Sequence, residues 1–247
     1  MLREDLLHLL NETLNPSLFK DYAPNGLQVE GKDEIGLVVT AVTATKNVID
    51  RACELGADAL LVHHGWFWRG ENPIIVRTKH KRLKAMMMAD MNLIAYHLPL
   101  DAHPALGNNA RLGELLQATD VERFGPDQLV SLGVIDPVTV TELAQKLADC
   151  LGQKPLLLGD ADKVVRRVAW CSGAAQDFLE EAILAGADVY ISGEVSERTT
   201  HLARESGVPY LACGHHATER LGIQALSQWL TQEHGVKCVF VDDENPV

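Results

Sequence analysis

The stretch LGADALLVHHG, residues 55–65, sets the reading of the chain. Gly56 closes an amphipathic helical pattern, KNVIDRACELG (46–56), and the apolar run that follows has the density of a buried strand. That run breaks into His63, His64 and Gly65, and then into Trp66, Phe67 and Trp68. Two adjacent imidazoles are costly to desolvate, and neighbours in sequence do not share a helical face. They are either incidental loop residues or they reach toward something both can bind.

A second copy of the pattern narrows the choice. AGADVYISGEV (185–195) lies over the first stretch with one constant offset when Gly56-Ala57-Asp58 is set on Gly186-Ala187-Asp188, and His63-His64 then falls on Gly193-Glu194. Past the next helix, NLIAYHLPLD (92–101) lies roughly over VPYLACGHHATE (208–219), setting His97-x-x-x-Asp101 against His215-x-x-x-Glu219. A polar cluster therefore ends a strand at corresponding places in each half, and the carboxyl ends of strands are where α/β sheets gather ligands.

Working outward, strands and helices alternate almost throughout. Strand patterns at GLVVTAV (36–42), NLIAYHL, VRRVAWCSG, VPYLACGHH and VKCVFVD are separated by helical ones, among them NARLGELLQ, QDFLEEAILAGA, ERTTHLARESG and ATERLGIQALSQWLTQEHG. Near-continuous apolar strands between amphipathic helices predict an α/β fold with sheets covered on both faces, here as two similar lobes related by an internal pseudo-repeat. FGPDQLVSLGVIDPVTVTELAQ (124–145), punctuated by Pro126 and Pro137, is the expected passage between them and divides the chain into lobes 1–125 and 126–247.

Bulk properties exclude several classes. The 247 residues are 47% hydrophobic and 23% charged, with no apolar run near the ~20 residues of a membrane span. The opening MLREDLLHLLNET is acidic and amphipathic rather than signal-like, and the five cysteines show no CxxC spacing, so the expectation is a cytoplasmic protein with reduced thiols. A net charge of −12 disfavours a nucleic-acid coat. The local exception, RTKHKRLK (77–84), reads either as the solvated start of a helix with Leu83, Met86 and Met87 on its apolar face, or as a phosphate-binding patch.

The strand-end residues His63, His64, Asp101, His215 and Glu219 mix imidazole with carboxylate and have no thiolate near them, a donor set suited to zinc, iron or manganese. His215 and Glu219, at i and i+4, share one face of any helix that starts near them, while Asp101 follows Pro99 on an expected loop. Three histidines and two carboxylates exceed the needs of one tetrahedral ion. Two ions sharing a bridging carboxylate would use them all. Each residue alone has a plainer reading: a hydrogen-bonded histidine, a turn-capping aspartate, a solvated glutamate. His216, His103 and His201 lack the repeat's support and are expected to be structural or exposed.

LLVHHG, AYHLPLD followed by GNNARL, ISGE and GHHATE together resemble the signature segments of the GTP cyclohydrolase 1 type 2 family, the NIF-three-like dinuclear metal proteins. The resemblance runs from the N-terminal helix to the last strand. It implies two α/β lobes with a di-metal site between them, two divalent metal ions per chain, and a toroidal homohexamer whose metal sites face an internal cavity. Carried over by motif, His63, His64, Asp101, His215 and Glu219 would be the ligands, with Glu219 bridging. His97 would be a catalytic group that supports the ligands or transfers a proton, rather than a ligand, or else a structural residue filling the repeat's corresponding position. The chain departs from the pattern in being too short for the inserted middle domain of longer relatives. Ser196-Glu197-Arg198 also stand where relatives often place a histidine, and Glu194 receives no metal role. There is no GxxxxGK[ST] loop, and LGNNARLG (106–113) reads as a helix start.

The leading expectation is thus a metal-dependent hydrolase acting on a small molecule, a nucleotide or related heterocycle, with Trp66 or Trp68 stacking on the base or else simply packing. The alternative is a ring-forming metal-binding scaffold that holds nucleic acid or a protein partner without catalysis. A metal-storage role is a third. No membrane partner is expected.

Overall fold

Two Gly-Ala-Asp turns organise the chain in the computed structural model, which describes residues 1–247. Gly56 (φ 69°) and Gly186 (φ 80°) take the left-handed conformation that ends a helix and that residues with a Cβ rarely adopt. The aspartate of each turn then reaches back to a neighbouring strand. Asp58 Oδ2 accepts the backbone N–H groups of Gly36 and Leu37 at 2.9 and 3.0 Å, and Asp188 Oδ2 accepts those of Arg166 and Arg167 at 2.9 and 2.7 Å. Both carboxylates occupy the same place in the repeat.

The mixed α/β structure has two sheets in two compact units: Met1–Gly107 with Gly222–Glu244 (unit 1), and Asn108–Leu221 with Asn245–Val247 (unit 2). Unit 1 contains helices α1 (Arg3–Leu14), α2 (Lys46–Leu55), α3 (Arg77–Met88) and α4 (Leu98–Ala102). Its strands are β1 (Gly26–Val29), β2 (Val38–Thr43), β3 (Ala59–His64), β4 (Asn92–Ala95) and, from the C-terminal segment, β11 (Cys238–Phe240), in the order β1-β4-β3-β2-β11. All pair in parallel except β1, which runs antiparallel to β4. The strands are apolar at successive positions because alternate residues enter different cores. Leu61 and Ile94 pack with Leu6, Leu10 and Leu14 of α1, whereas Leu60, Val62 and Leu93 pack with Val48, Ile49 and Ala52 of α2.

Unit 2 carries α5 (Asn108–Leu116), α6 (Val140–Leu151), α7 (Leu179–Leu184) and α8 (Glu197–Ser206). Its six strands are β5 (Thr119–Phe124), β6 (Val130–Thr139), β7 (Leu156–Leu158), β8 (Val164–Trp170), β9 (Val189–Ser192) and β10 (Tyr210–Ala212), ordered β5-β6-β8-β9-β10-β7. Strands β8, β9 and β10 are parallel, and β7 closes against β10 antiparallel, as β1 does against β4. Helix α9 (His215–His234) follows β10.

Register tests the repeat residue by residue. Val38 pairs with Ala59 and Val168 with Val189, which keeps the offset set by the Gly-Ala-Asp turns. Leu60 then pairs with Leu93, and its counterpart Tyr190 with Tyr210. His97 is therefore level with Gly214, and His215 with Leu98. The overlay of His97 on His215 is one residue out of register.

Other expectations change as well. Residues 124–145, expected to join the lobes, supply all of β6 and the start of α6; Pro137 lies where the β6–β8 register shifts between Val134 and Val138, so it marks an irregularity inside a strand. Thr139 caps α6 through a reciprocal bond with Glu142. In α3, Met86 is fully buried but Met87 is 65% exposed, so Met87 does not belong to the inner face. No helix is long and apolar enough to cross a membrane.

Replacing Asp58 or Asp188 with alanine leaves two backbone donors without their carboxylate, and each variant is expected to lose about 1–3 kcal/mol in urea denaturation. Burial alone would raise the Asp58 carboxyl, but Lys32 and the Gly36 and Leu37 N–H groups outweigh it and hold it below its ordinary range. A depressed folded-state value stabilises the fold above the unfolded pKa of ~3.9 and loses that contribution as pH falls through the folded value. Asp58→Asn should flatten the acid limb of the stability curve below about pH 4.

Candidate metal centre

Strand β3 delivers His63 and His64 to the carboxyl edge of the unit 1 sheet. His63 is fully buried, and its Nδ1 lies 3.1 Å from the Tyr96 carbonyl oxygen. A carbonyl only accepts, so the proton of a neutral His63 is on Nδ1. His64 Nδ1 lies 3.1 Å from Thr43 Oγ1, on the neighbouring strand β2. Each ring is thus oriented through one nitrogen by a protein group, the arrangement that presents Nε2 to a metal.

Beyond β4 the chain turns through His97 into α4. Nitrogens of His63, His64 and His97 lie within 4.8 Å of one another, a group that could hold a metal ion. Asp101 is buried within α4 rather than on the expected loop, and its Oδ1 is 3.6 Å from His63 Nε2. His97 is bound in turn to a residue not singled out in the sequence: its Nδ1 is 2.9 Å from Asp21 Oδ1. Burial would raise the Asp21 carboxyl, but the hydrogen bond and charge of His97, with Asn25 and the Leu98 N–H, hold it well below the carboxylate range.

Aromatic rings complete this part of unit 1. Trp68 stands 5.8 Å from His64 and 5.1 Å from His97 between ring centroids, and Tyr22 lies 5.7 Å from Trp68. Trp66 is buried and donates its indole N–H to the Ala44 carbonyl at 3.0 Å, so Trp66 packs. Of the two tryptophans, Trp68 is the one beside the histidines.

In unit 2, His215 opens α9, and Glu219 follows one turn later on the same face, as the i,i+4 spacing implies. His215 Nε2 is 3.0 Å from Glu219 Oε2, and His215 Nδ1 is 2.6 Å from Glu194 Oε1. Burial pulls the His215 pKa down, but the two glutamates outweigh it and raise it to about 9. Glu194, which received no metal role from the sequence, is the group that orients His215. A signal did exist for Glu194, because it aligns with His64. Asp21 had only the turn composition of Pro24-Asn25-Gly26 beside it. Of the histidines set aside, His103 caps its own turn by accepting the N–H groups of Ala105 and Leu106, and His201 is exposed beside Glu197.

Glycines make room for the carboxylate. A Cβ on Gly173 (φ +67°) would stand 2.2 Å from Glu219 Oε1, and one on Gly193 would stand 2.6 Å from His215 Cα. The donors in both units are imidazole nitrogens and carboxylate oxygens, a chemistry that fits zinc, iron or manganese.

A mixed α/β protein with histidine–carboxylate clusters at its strand ends is thereby defined. Residues 1–246 match the model of the family described as Duf34/NIF3 (NGG1p interacting factor 3), and the chain belongs to that family. It is 50% identical over 248 residues to an Escherichia coli protein named GTP cyclohydrolase 1 type 2 homolog, covering 100% of both chains. A Vibrio cholerae protein of the same name is 50% identical, with 97% of each chain covered. Among solved structures, one described as "Structural genomics, protein ybgI, unknown function" matches with a TM-score of 0.96 at 50% identity over 100% of both chains. A Thermus thermophilus protein matches with a TM-score of 0.91 at 32% identity, again over 100% of both.

Gly173→Ala should cost more than Gly56→Ala. Both force a side chain into the left-handed region at about 1–2 kcal/mol, but only at Gly173 must the new Cβ displace a buried carboxylate, since nothing lies within 4 Å of one at Gly56. Equal losses in urea denaturation would contradict the close approach of Glu219.

Proposed function

We propose that the chain is a dinuclear metal-dependent hydrolase acting on a nucleotide or related heterocycle, with His63, His64, Asp101, His215 and Glu219 holding two divalent ions. The observation that carries this reading is the anchoring of the imidazoles: Tyr96, Thr43 and Glu194 each engage the Nδ1 of one proposed ligand, which would leave Nε2 as the coordinating atom. Glu219 would be the bridging carboxylate, a role that suits a side chain whose Oε1 is backed by Gly173. Iron, zinc and manganese all suit these donors.

Bound there, the ions would supply Lewis-acid polarisation and an acidified water. The protein's own residues do the rest. His97, beside His63 and His64, moves a proton, and the exposed part of Trp68 offers a face on which a heterocyclic base stacks. The names of the Escherichia coli and Vibrio cholerae relatives point to the same substrate class. A closed symmetric homo-oligomer, a hexamer, is the expected assembly.

Purified protein should contain close to two transition-metal equivalents per chain, and Glu219→Gln should lose most of them; full metal content in that variant would remove the bridging assignment. Turnover of a panel of nucleotides and pterin-like compounds should vanish on chelation and return with metal. His97→Asn should keep its metal and lose about 10²–10⁴-fold in rate. A panel with no turnover in metal-replete protein would favour the scaffold reading. A 27.1 kDa species in light scattering would overturn the assembly.

A further inference from the structure

Within unit 1, the side chain that gathers donors beside His97 is Asp21, which is itself no proposed ligand. We infer that Asp21 is a positioning residue that fixes neutral His97 as its Nδ1–H tautomer and so places the imidazole lone pair on Nε2. The use of that lone pair rests on the proposed function; the tautomer does not.

The hydrogen bonds leave little choice. Asp21 Oδ1 accepts the N–H groups of Tyr22 at 2.7 Å and Ala23 at 3.2 Å, and lies 2.9 Å from His97 Nδ1. Oδ2 accepts the Asn25 side-chain amide and the Leu98 N–H, both at 3.0 Å. A side chain only 3% exposed and surrounded by four donors is held as the carboxylate, and a carboxylate only accepts. The proton between Asp21 and His97 therefore belongs to Nδ1.

The ring is also held against the flip that would exchange its nitrogens. Asn25 joins the two residues, donating to Asp21 through its amide nitrogen and accepting the His97 backbone N–H through Oδ1 at 2.7 Å. Tyr22 and Trp68 stand edge-on to the imidazole, at centroid distances of 5.0 and 5.1 Å and interplanar angles of 73° and 85°. One turn, residues 21–25, supplies the carboxylate, the amide and the tyrosine. His97 is not the register counterpart of His215, so this support is particular to unit 1.

Neutron diffraction from crystals of the full chain at about pH 8, above the ordinary histidine range, reads the tautomer directly. Wild-type protein should show deuterium on His97 Nδ1 and none on Nε2. Asp21→Ala removes the acceptor and should let the proton move to Nε2, while Asn25→Ala, which keeps the carboxylate, should retain Nδ1–H. Asp21→Ala should also lose about 10–100-fold in turnover. Deuterium on Nε2 in the wild type, alone or on both nitrogens, overturns the inference, as does an unchanged tautomer in Asp21→Ala. If that variant fails to fold, the wild-type map and Asn25→Ala still decide. The Nδ1–H tautomer in protein that hydrolyses nothing would uphold the positioning role and remove only the proposed reaction.

Discussion

Parallel pairing of adjacent strands is the constraint on which the rest depends. Once Val62 sits beside Ala95 in the β3–β4 ladder, the residues after each strand must emerge side by side at one edge. His63 and His64 meet His97 for that reason, and the bond from His63 Nδ1 to the Tyr96 carbonyl lies one residue past the last ladder pair. Unit 2 repeats the geometry. Ser192 sits beside Ala212, the Cys213 and Gly214 N–H groups bond to the Ser192 and Gly193 carbonyls, and α9 starts at the next residue. Strands buried on both faces admit few polar side chains along their length, so the chemistry collects where they end.

Collecting buried imidazoles and carboxylates opposes folding unless each is partnered. The partners come from turns and strand ends that the fold already holds rigid: Thr43 at the end of β2, the Tyr96 backbone, Glu194 after β9, and the 21–25 turn. Paired carboxylates also set the electrostatics. Glu194 and Glu219 together overcome the desolvation of His215, whereas at Asp21 the donors overcome the desolvation of the acid. These are opposite shifts from one cause, an ionic form favoured by fixed hydrogen bonds.

The parallel strands were legible because their residues are apolar at successive positions and their helices end in glycine, and the i,i+4 placement of His215 and Glu219 followed from spacing alone. The antiparallel additions β1, β5, β6 and β7 were not. At three to six residues on the sheet edges, β1, β5 and β7 carry too weak an alternation, and within the longer β6 Pro137 imitated a linker where it marks a shift in register. Asp21 was hidden for a different reason. It lies far from His97 in sequence, and a local turn pattern says nothing about which distant side chain the turn will face.

The repeat also explains why the two units cannot carry the same donors. The position equivalent to His63 is Gly193, and a Cβ there would press on the Gly173 carbonyl and the His215 backbone at 2.6 Å. No histidine fits. The space that β3 gives to a side chain is occupied in unit 2 by the start of α9, so donors in that unit must come from the helix rather than from the strand end. Glu194, equivalent to His64, then contributes a carboxylate that grips the helical histidine. The one-residue slip after β4 has the same origin: Gly214, at φ +94°, turns the chain directly into a long helix where unit 1 spends that position on His97. A duplicated strand pair thus supports unlike donor sets, because in one copy the backbone of the following helix fills the volume that in the other holds an imidazole.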